Sequence, residues 1–215
     1  MTQAAREDGR PGEEQRLSKE QKLAALLEAA SGLMSKRGFS QTTMRDVARE
    51  TGFSLAGMYY YFDSKDDLLF QIQHGTFSRL LAEQESLVAR TADPEERMRN
   101  LVATHLAFFH RYAGEMKVCT FELESLSGEP YEAIEGLRRR YYHLAAGVVA
   151  ELLGIESTSA KSQSRIRHLT LFIFGALNWV FMWYQPEKDV PMVRLAEEMT
   201  EFVMGGLRAQ MRGAA

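Results

Sequence analysis

The residue types that most often carry catalysis are sparse in this chain and poorly spaced for it. The 215 residues include five histidines and one cysteine. His105 and His110 are five positions apart, so they do not share a helix face as a zinc-binding i, i+4 pair would. Cys119 has no second cysteine with which to form a disulfide or a zinc site. We therefore expect no catalytic residue, no metal site and no cofactor.

A different chemistry is indicated between residues 43 and 65, where the order of residue types suits DNA binding. Thr43 and Ser54 each stand where a helix can begin, and Gly52 can adopt the left-handed turn between two helices. Small, uncharged side chains follow Ser54, and such residues at a helix N-terminus can approach base edges in the major groove. The tyrosines and the lysine that come next can bind phosphate oxygens. This order of residues predicts a helix-turn-helix.

These residues lie among apolar positions that recur every three or four residues, the spacing of a helix face. No stretch has the sustained alternation of a half-buried strand. The predicted fold is all-α, with a disordered arm at 1–16, a three-helix DNA-binding head at 17–64 and a larger helical ligand-binding and dimerisation domain at 65–215. The first predicted helix is capped at 18 and ends at 38, the second is capped at 43 and ends at 52, and the third is capped at 54 and covers 55–62. A longer helix opens at 64–67 and runs to a break at 91–94, and the later helices cover 95–112, 115–126, 131–153, 159–184 and 190–211.

Charge and hydropathy bear on the class and location of the protein. The formal net charge is −3, so charge alone does not indicate binding to a polyanion. The first 15 residues are polar and do not read as a signal peptide. Residues 169–184 are strongly apolar, but this stretch is shorter than the roughly 20 residues that a membrane-spanning helix needs. We expect it to be buried in the core and in a subunit interface of a cytoplasmic protein; a membrane-anchored protein is the alternative.

The head carries a dense motif. The run TTMRDVARETGFSLAGMYYYFDSKDDLL, preceded by AASGLMSKRGFS, resembles the tetracycline-repressor (TetR) family of transcriptional regulators. The resemblance covers about residues 17–72. It implies a homodimer that binds a near-palindromic operator and leaves it when a ligand enters the C-terminal domain. The phosphate contacts that it implies are Thr43, Tyr59, Tyr60 and Lys65, and the residues that it places at the bases are Ser54, Leu55, Ala56 and Tyr59.

The recognition helix departs from the family pattern at two positions. Family members often carry a lysine where this chain has Leu55, and a threonine or serine where it has Gly57. Hydrogen-bonded base readout is lost at both positions, and contact between Leu55 and a thymine methyl group is a plausible replacement. A glycine also weakens a helix by about 1 kcal/mol relative to alanine.

The C-terminal half is rich in aromatic residues and methionines. Such residues form cores, and they also suit a cavity for a bulky apolar ligand. Arg138, Arg139 and Arg140 spread around a helix, so at most two can face one direction. They can pair with neighbouring glutamates or bind an anion at a cavity mouth. The predicted ligand-binding residues are Phe108, Phe109, Tyr112, Met116, Phe121, Arg138, Arg139, Phe172 and Trp179.

Two further segments, FELESLSGEPYEAIEGLRRRYYHL and FGALNWVFMWYQPEKDVPMVRLAEEMTEFVMGGL, resemble the branch of the TetR family that senses acyl-CoA thioesters. The resemblance implies an acyl-CoA effector whose phosphates meet the arginines, and a homodimer formed through the last two helices. A multidrug-type regulator that senses aromatic compounds is one alternative. A helical ligand carrier or an all-α enzyme is another, although neither has a use for a phosphate-binding head.

Overall fold

The computed structural model describes residues 18–156 and 158–212, and this part of the chain is built from helices without a strand. The predicted all-α fold is therefore confirmed. The predicted arm at 1–16 lies outside the described residues. The helices are α1 (Lys19–Arg37), α2 (Met44–Thr51), α3 (Leu55–Tyr59), α4 (Lys65–Arg90), α5 (Pro94–Arg111), α6 (Ala113–Phe121), a 3₁₀ turn (Leu123–Ser125), α7 (Gly128–Leu153), α8 (Ala160–Asn178), α9 (Val180–Trp183) and α10 (Met192–Arg212).

Local capping contacts set the starts of the head helices, as the sequence predicts. The Ser18 hydroxyl accepts from the backbone of Gln21, and Thr43 forms the same reciprocal pair with Asp46. Ser54 accepts from the backbone N–H of Gly57 at 3.0 Å. Gly52 follows α2 with φ of 72°, the left-handed conformation that turns the chain into α3. These contacts reach only three residues along the chain, so sequence alone specifies them.

Several predicted boundaries are corrected. The third helix ends at Tyr59 rather than at residue 62, and the predicted helix 115–126 is α6 followed by the 3₁₀ turn. Helix α7 begins at Gly128, before its predicted start, because a proline such as Pro130 fits the first helical turn, where its missing N–H leaves no bond unmade. The predicted helix 159–184 is divided at Trp179 into α8 and α9.

Two apolar clusters hold the molecule together. The first contains Leu26 of α1, Phe62 after α3, Leu68 of α4 and Met116 of α6, all at most 2% exposed. It joins the head directly to the helices that follow. The second cluster lies further from the head, between α5, α7, α8 and α10, around residues such as Leu106 and Met204. The head therefore rests on α4 and α6, which also approach the interior of the C-terminal half.

Candidate DNA-binding surface and effector cavity

Several of the residues predicted to read bases or bind phosphates lie in or beside α3. Ser54 and Ala56 are exposed, and the Tyr59 and Tyr60 side chains are 52% and 70% exposed. Leu55 is half-buried and packs against the first apolar cluster. The exposed part of the Leu55 side chain is therefore smaller than that of a leucine that projects freely into solvent. Ala56 is therefore better placed than Leu55 to meet a base edge.

Thr43 lies at the start of α2 inside a small charged network. Its hydroxyl donates to the carboxylate of Asp46 at 2.7 Å, and Arg49 and Arg37 reach the same carboxylate at 2.7 and 3.1 Å. Hydrogen bonds from the Thr43 side chain and backbone, helped by the arginines, lower the pKa of Asp46 below its usual value. The network keeps two guanidinium groups beside the first turn of α2, and neither arginine was predicted from the sequence as part of the DNA-binding surface.

Lys65, predicted to bind phosphate, also has a contact inside the protein. Its ammonium group donates to the carbonyl oxygen of Phe39 at 3.1 Å and lies 4.1 Å from the centre of the Phe39 ring. An ammonium group has three donors, so this contact leaves two for other acceptors. The Lys19 ammonium lies 5.3 Å from the centre of the ring of Tyr60, so it adds a positive charge, not foreseen from the sequence, beside a predicted phosphate contact.

A cavity of about 400 Å³ opens between α4, α5, α6, α7 and α8. Four of the predicted ligand-binding residues line it: Phe109, Met116, Arg138 and Arg139. Its other lining residues, none of them predicted from the sequence, are Phe77, Leu80, His105, Thr120, Glu135, Tyr141, Tyr142, Leu171, Phe174 and Asn178. The wall is mostly apolar and aromatic, with a few polar groups, which is the usual make-up of a small-molecule site.

The three consecutive arginines have different surroundings. Arg138 donates to the carbonyl oxygen of Cys119 at 3.2 Å and lies 5.5 Å from the centre of the Phe77 ring. Arg139 pairs with Glu135 at 2.6 Å on the same wall. Arg140 pairs with Glu85 at 2.8 Å and does not line the cavity. Among the described carboxylates none is paired with Arg138 in an ion pair, so its charge is the one best able to meet an anionic ligand.

The other five predicted ligand-binding residues lie outside this cavity. Phe108 is buried against Tyr112, and Tyr112 lines a separate groove beside α1 and α4. Phe121 is half exposed, with its ring against Phe181. Phe172 and Trp179 are 71% and 55% exposed on α8 and at its end. Aromatic content thus identifies the region, but the direction of each side chain depends on which helix packs against it.

A buried polar network forms part of the cavity wall. The Nδ1 atom of His105 lies 2.9 Å from the Tyr141 hydroxyl, which also accepts from Gln84 Nε2 at 3.3 Å. Burial lowers the pKa of His105 to about 3, against a smaller opposing effect of Asn178, and raises the pKa of Tyr141. Both side chains are therefore neutral at physiological pH. Burial also raises the pKa of the Cys119 thiol to about 12, so this cysteine is not a reactive thiolate.

Comparison with known families decides the class of protein. Residues 91–207 match the family described as "Tetracyclin repressor-like, C-terminal domain", and residues 26–72 match "Bacterial regulatory proteins, tetR family". The chain belongs to the TetR family. This regulator therefore combines a DNA-binding helix-turn-helix head with the helical C-terminal domain of that family, as the resemblance of its sequence motifs indicates.

The regulator is similar to known proteins over most of its length. It is 24% identical over 184 residues to the transcriptional repressor KstR2 of Mycobacterium tuberculosis, covering 85% of this chain and 90% of that one. It is 21% identical over 190 residues to the fatty acid metabolism regulator protein of Bacillus subtilis, covering 88% and 97%. Its fold resembles that of AibR in complex with isovaleryl coenzyme A and operator DNA, with a TM-score of 0.73 at 22% identity, covering 84% and 97%.

Proposed function

We propose that this regulator is a homodimeric repressor that an acyl-CoA thioester releases from its operator. The observation that carries the proposal is the apolar cavity with Arg138 in its wall, because an acyl chain is apolar and the CoA portion carries phosphates. The similarity to a regulator whose structure holds isovaleryl coenzyme A and operator DNA supports the same class of effector.

The dimer is proposed to form through α8, α9 and α10. Within the described residues, the segment Ala160–Trp183 is unusually apolar: its mean hydropathy reaches 1.3. By length and composition alone it could cross a membrane, and the same apolar character suits a helix that is buried between two subunits. Phe172 of this segment and Phe202 of α10 border a groove of about 570 Å³. Other exposed apolar side chains in this part of the chain, none of them lining the effector cavity, include Trp179, Met182, Trp183 and Val193. A second copy of this chain is the occupant that we propose, because reading a palindrome requires two heads and homodimer interfaces are more apolar than other surfaces.

Helix α6 provides a physical path from the cavity to the head. Met116 and Thr120 line the cavity on this helix, and Glu122 follows its last residue. The Glu122 carboxylate accepts from the backbone N–H of Phe39 at 2.9 Å, and its backbone carbonyl accepts from Gln73 at 3.0 Å. A ligand that displaces α6 therefore moves the support of the head. Only a ligand that binds more tightly to the displaced conformation can shift the population away from DNA.

The test is a fluorescence-polarisation titration of the regulator on an operator selected from a random DNA library. Acyl-CoA and aryl-CoA esters are compared with their free acids and with free CoA. We expect esters to release the DNA at far lower concentrations than either fragment, because release needs both the apolar chain and the phosphates. Release by free acids at equal concentration, or by none of the esters, would contradict the proposed effector and favour a regulator of neutral or cationic aromatic compounds.

The arginines supply a matched pair of variants. Arg138→Gln removes the cavity charge that has no carboxylate partner, and we expect it to raise the ester concentration needed for release at least about tenfold, since a charged hydrogen bond contributes about 1.5–3 kcal/mol. Arg140→Gln removes a neighbouring charge that is paired with Glu85 outside the cavity, and we expect no change. Both variants should bind operator like the parent protein in the absence of ester.

A further inference from the structure

The wall of the cavity contains a polar atom whose hydrogen-bonding capacity is unused. Within the described part of the chain, His105 Nε2 makes no hydrogen bond of ordinary geometry, although the residue is only 1% exposed. The Asn178 side chain, also in the cavity wall, interacts with the imidazole only enough to oppose in part the fall in its pKa. The imidazole is stacked on Phe109, with ring centres 4.1 Å apart, and both residues line the cavity. Buried polar groups without a partner are rare, because each costs about 1–3 kcal/mol of desolvation free energy. A bound ligand is one way to satisfy such a group.

The neighbouring contacts determine which ring nitrogen carries the proton. The carbonyl oxygen of Leu101 can only accept, so the Gln84 amide must direct its NH₂ group there, at 3.2 Å. The second hydrogen of the same NH₂ group is donated to the Tyr141 oxygen. The hydroxyl proton of Tyr141 is then donated to His105 Nδ1 at 2.9 Å, its sole acceptor among the described residues. A neutral imidazole with an accepting Nδ1 carries its proton on Nε2.

We propose that His105 Nε2–H is a recognition donor for a carbonyl oxygen of the effector. The imidazole is held by Tyr141, which Gln84 contacts in turn, and it is stacked on Phe109 in the cavity wall. A ligand with an acceptor at this point completes the buried network, whereas a purely hydrocarbon ligand leaves the donor unpaired. In an acyl-CoA, the carbonyl oxygen of the thioester is such an acceptor. The inference rests on the proposed function, since it concerns the same cavity and the same ligand.

Two matched pairs of compounds test this donor separately from the class of effector. Decanoyl-CoA is compared with S-decyl-CoA, a thioether that lacks only the carbonyl oxygen, and phenyl hexyl ketone is compared with heptylbenzene. Binding is measured by calorimetry for the parent protein, His105→Phe and His105→Gln. We expect the parent to bind each carbonyl compound roughly tenfold more tightly than its partner. His105→Phe should lose this preference, and His105→Gln, which keeps an N–H donor, should restore part of it.

A second variant and a spectroscopic readout cover the case in which His105→Phe does not fold. Tyr141→Phe removes the proton donor to Nδ1, so the ring is free to take either tautomer and the preference for a carbonyl should decrease. Two-bond ¹H–¹⁵N spectra of the parent protein should show the His105 proton on Nε2, and the signal of this proton should move downfield when a ketone binds. A proton on Nδ1 would overturn the proposal.

The outcomes separate this inference from the proposed function. If both CoA compounds bind equally, an acyl-CoA effector stands and the role of His105 is wrong. If the CoA compounds do not bind while the ketone is preferred over heptylbenzene, the role of His105 stands and the effector class is wrong. Equal binding of both pairs to the parent, a preference retained by His105→Phe, or no binding of any of the four compounds would overturn the role of His105.

Discussion

The ammonium group of Lys65 lies 3.1 Å from the carbonyl oxygen of Phe39 and 4.1 Å from the centre of its ring. This contact ties the start of α4 to the beginning of the loop after α1, and the two residues are 26 positions apart in sequence. The backbone N–H of Phe39 also donates a hydrogen bond to the carboxylate of Glu122. The main chain of Phe39 thus bonds both to the start of α4 and to the residue that follows α6, beside the apolar cluster that joins the head to these helices.

The first prediction concerns Lys65, for which the sequence predicts a phosphate contact. Lys65→Met keeps the aliphatic stem but removes the ammonium group, and we expect a loss of about 1–2 kcal/mol in the free energy of unfolding. We also expect the slope of the logarithm of operator affinity against the logarithm of salt concentration to fall in magnitude by about one. The reason is that two donors of the Lys65 ammonium group are free for a phosphate contact, which the variant loses. Chemical denaturation and polarisation at several salt concentrations measure the two effects.

Lys19→Met is the matched control for that variant. The Lys19 ammonium lies above the exposed ring of Tyr60 and has no buried carbonyl partner among the described residues. We expect its effect on the free energy of unfolding to stay within about 0.5 kcal/mol, as for other surface substitutions. An unfolding free energy of Lys65→Met equal to that of the parent protein would show that the contact with Phe39 contributes nothing.

The second prediction concerns the transmission of ligand binding through Glu122. Glu122→Ala removes the acceptor of the Phe39 N–H, whereas the cavity residues of α6 stay in place. We expect the affinity for the ester, measured without DNA, to change less than about threefold. The factor by which saturating ester weakens operator binding should fall markedly, because that factor measures the coupling free energy between the two sites.

Glu124→Ala serves as the control, since Glu124 is exposed in the adjacent 3₁₀ turn. We expect it to leave the coupling factor unchanged. Parent-like coupling in Glu122→Ala would exclude this contact from the path between cavity and head.

The third prediction concerns assembly. Phe202 is 72% exposed in the proposed interface, and Phe202→Glu would place a charge where two copies meet. We expect sedimentation to show a folded monomer or weakened dimer, with operator affinity reduced at least about 100-fold because the two heads no longer bind together. Tyr131→Glu, at an exposed aromatic residue near the start of α7, should have no effect on assembly. A monomeric Phe202→Glu that binds the full operator with parent affinity would contradict the proposed dimer.

The fourth prediction is a dependence of stability on pH that originates from His105. The folded state lowers its pKa from 6.5 to about 3, so between these values the unfolded chain binds the extra proton. The stability contribution is complete above pH 6.5 and decreases as the pH falls, by about 1.4 kcal/mol per unit. Denaturant unfolding of the parent should therefore lose about 2 kcal/mol between pH 6.5 and 5 from this residue. His105→Phe should remove that part of the slope, and an identical slope in both proteins would contradict it.

The sequence by itself determined the features that depend on near neighbours along the chain. The caps at Ser18, Thr43 and Ser54 bond within three residues, and the left-handed turn at Gly52 needs only a missing Cβ. The helical spacing of apolar residues and the dense motif of the head predicted the all-α fold and the family. The spread of three consecutive arginines around a helix likewise predicted that they would not all face one way.

The tertiary structure decided which side chains meet across the fold. His105 and Tyr141 are 36 positions apart, and Gln84 and Tyr141 are 57 apart. Local sequence spacing therefore cannot predict that these three side chains form a network. Phe172 and Trp179 lie in a helix that is apolar on nearly every side, and periodicity cannot say which side meets the core. The packing of α8 against α5, α7 and α10 turned Phe174 toward the cavity and left Phe172 exposed, because a helix can bury only the face that its neighbours cover.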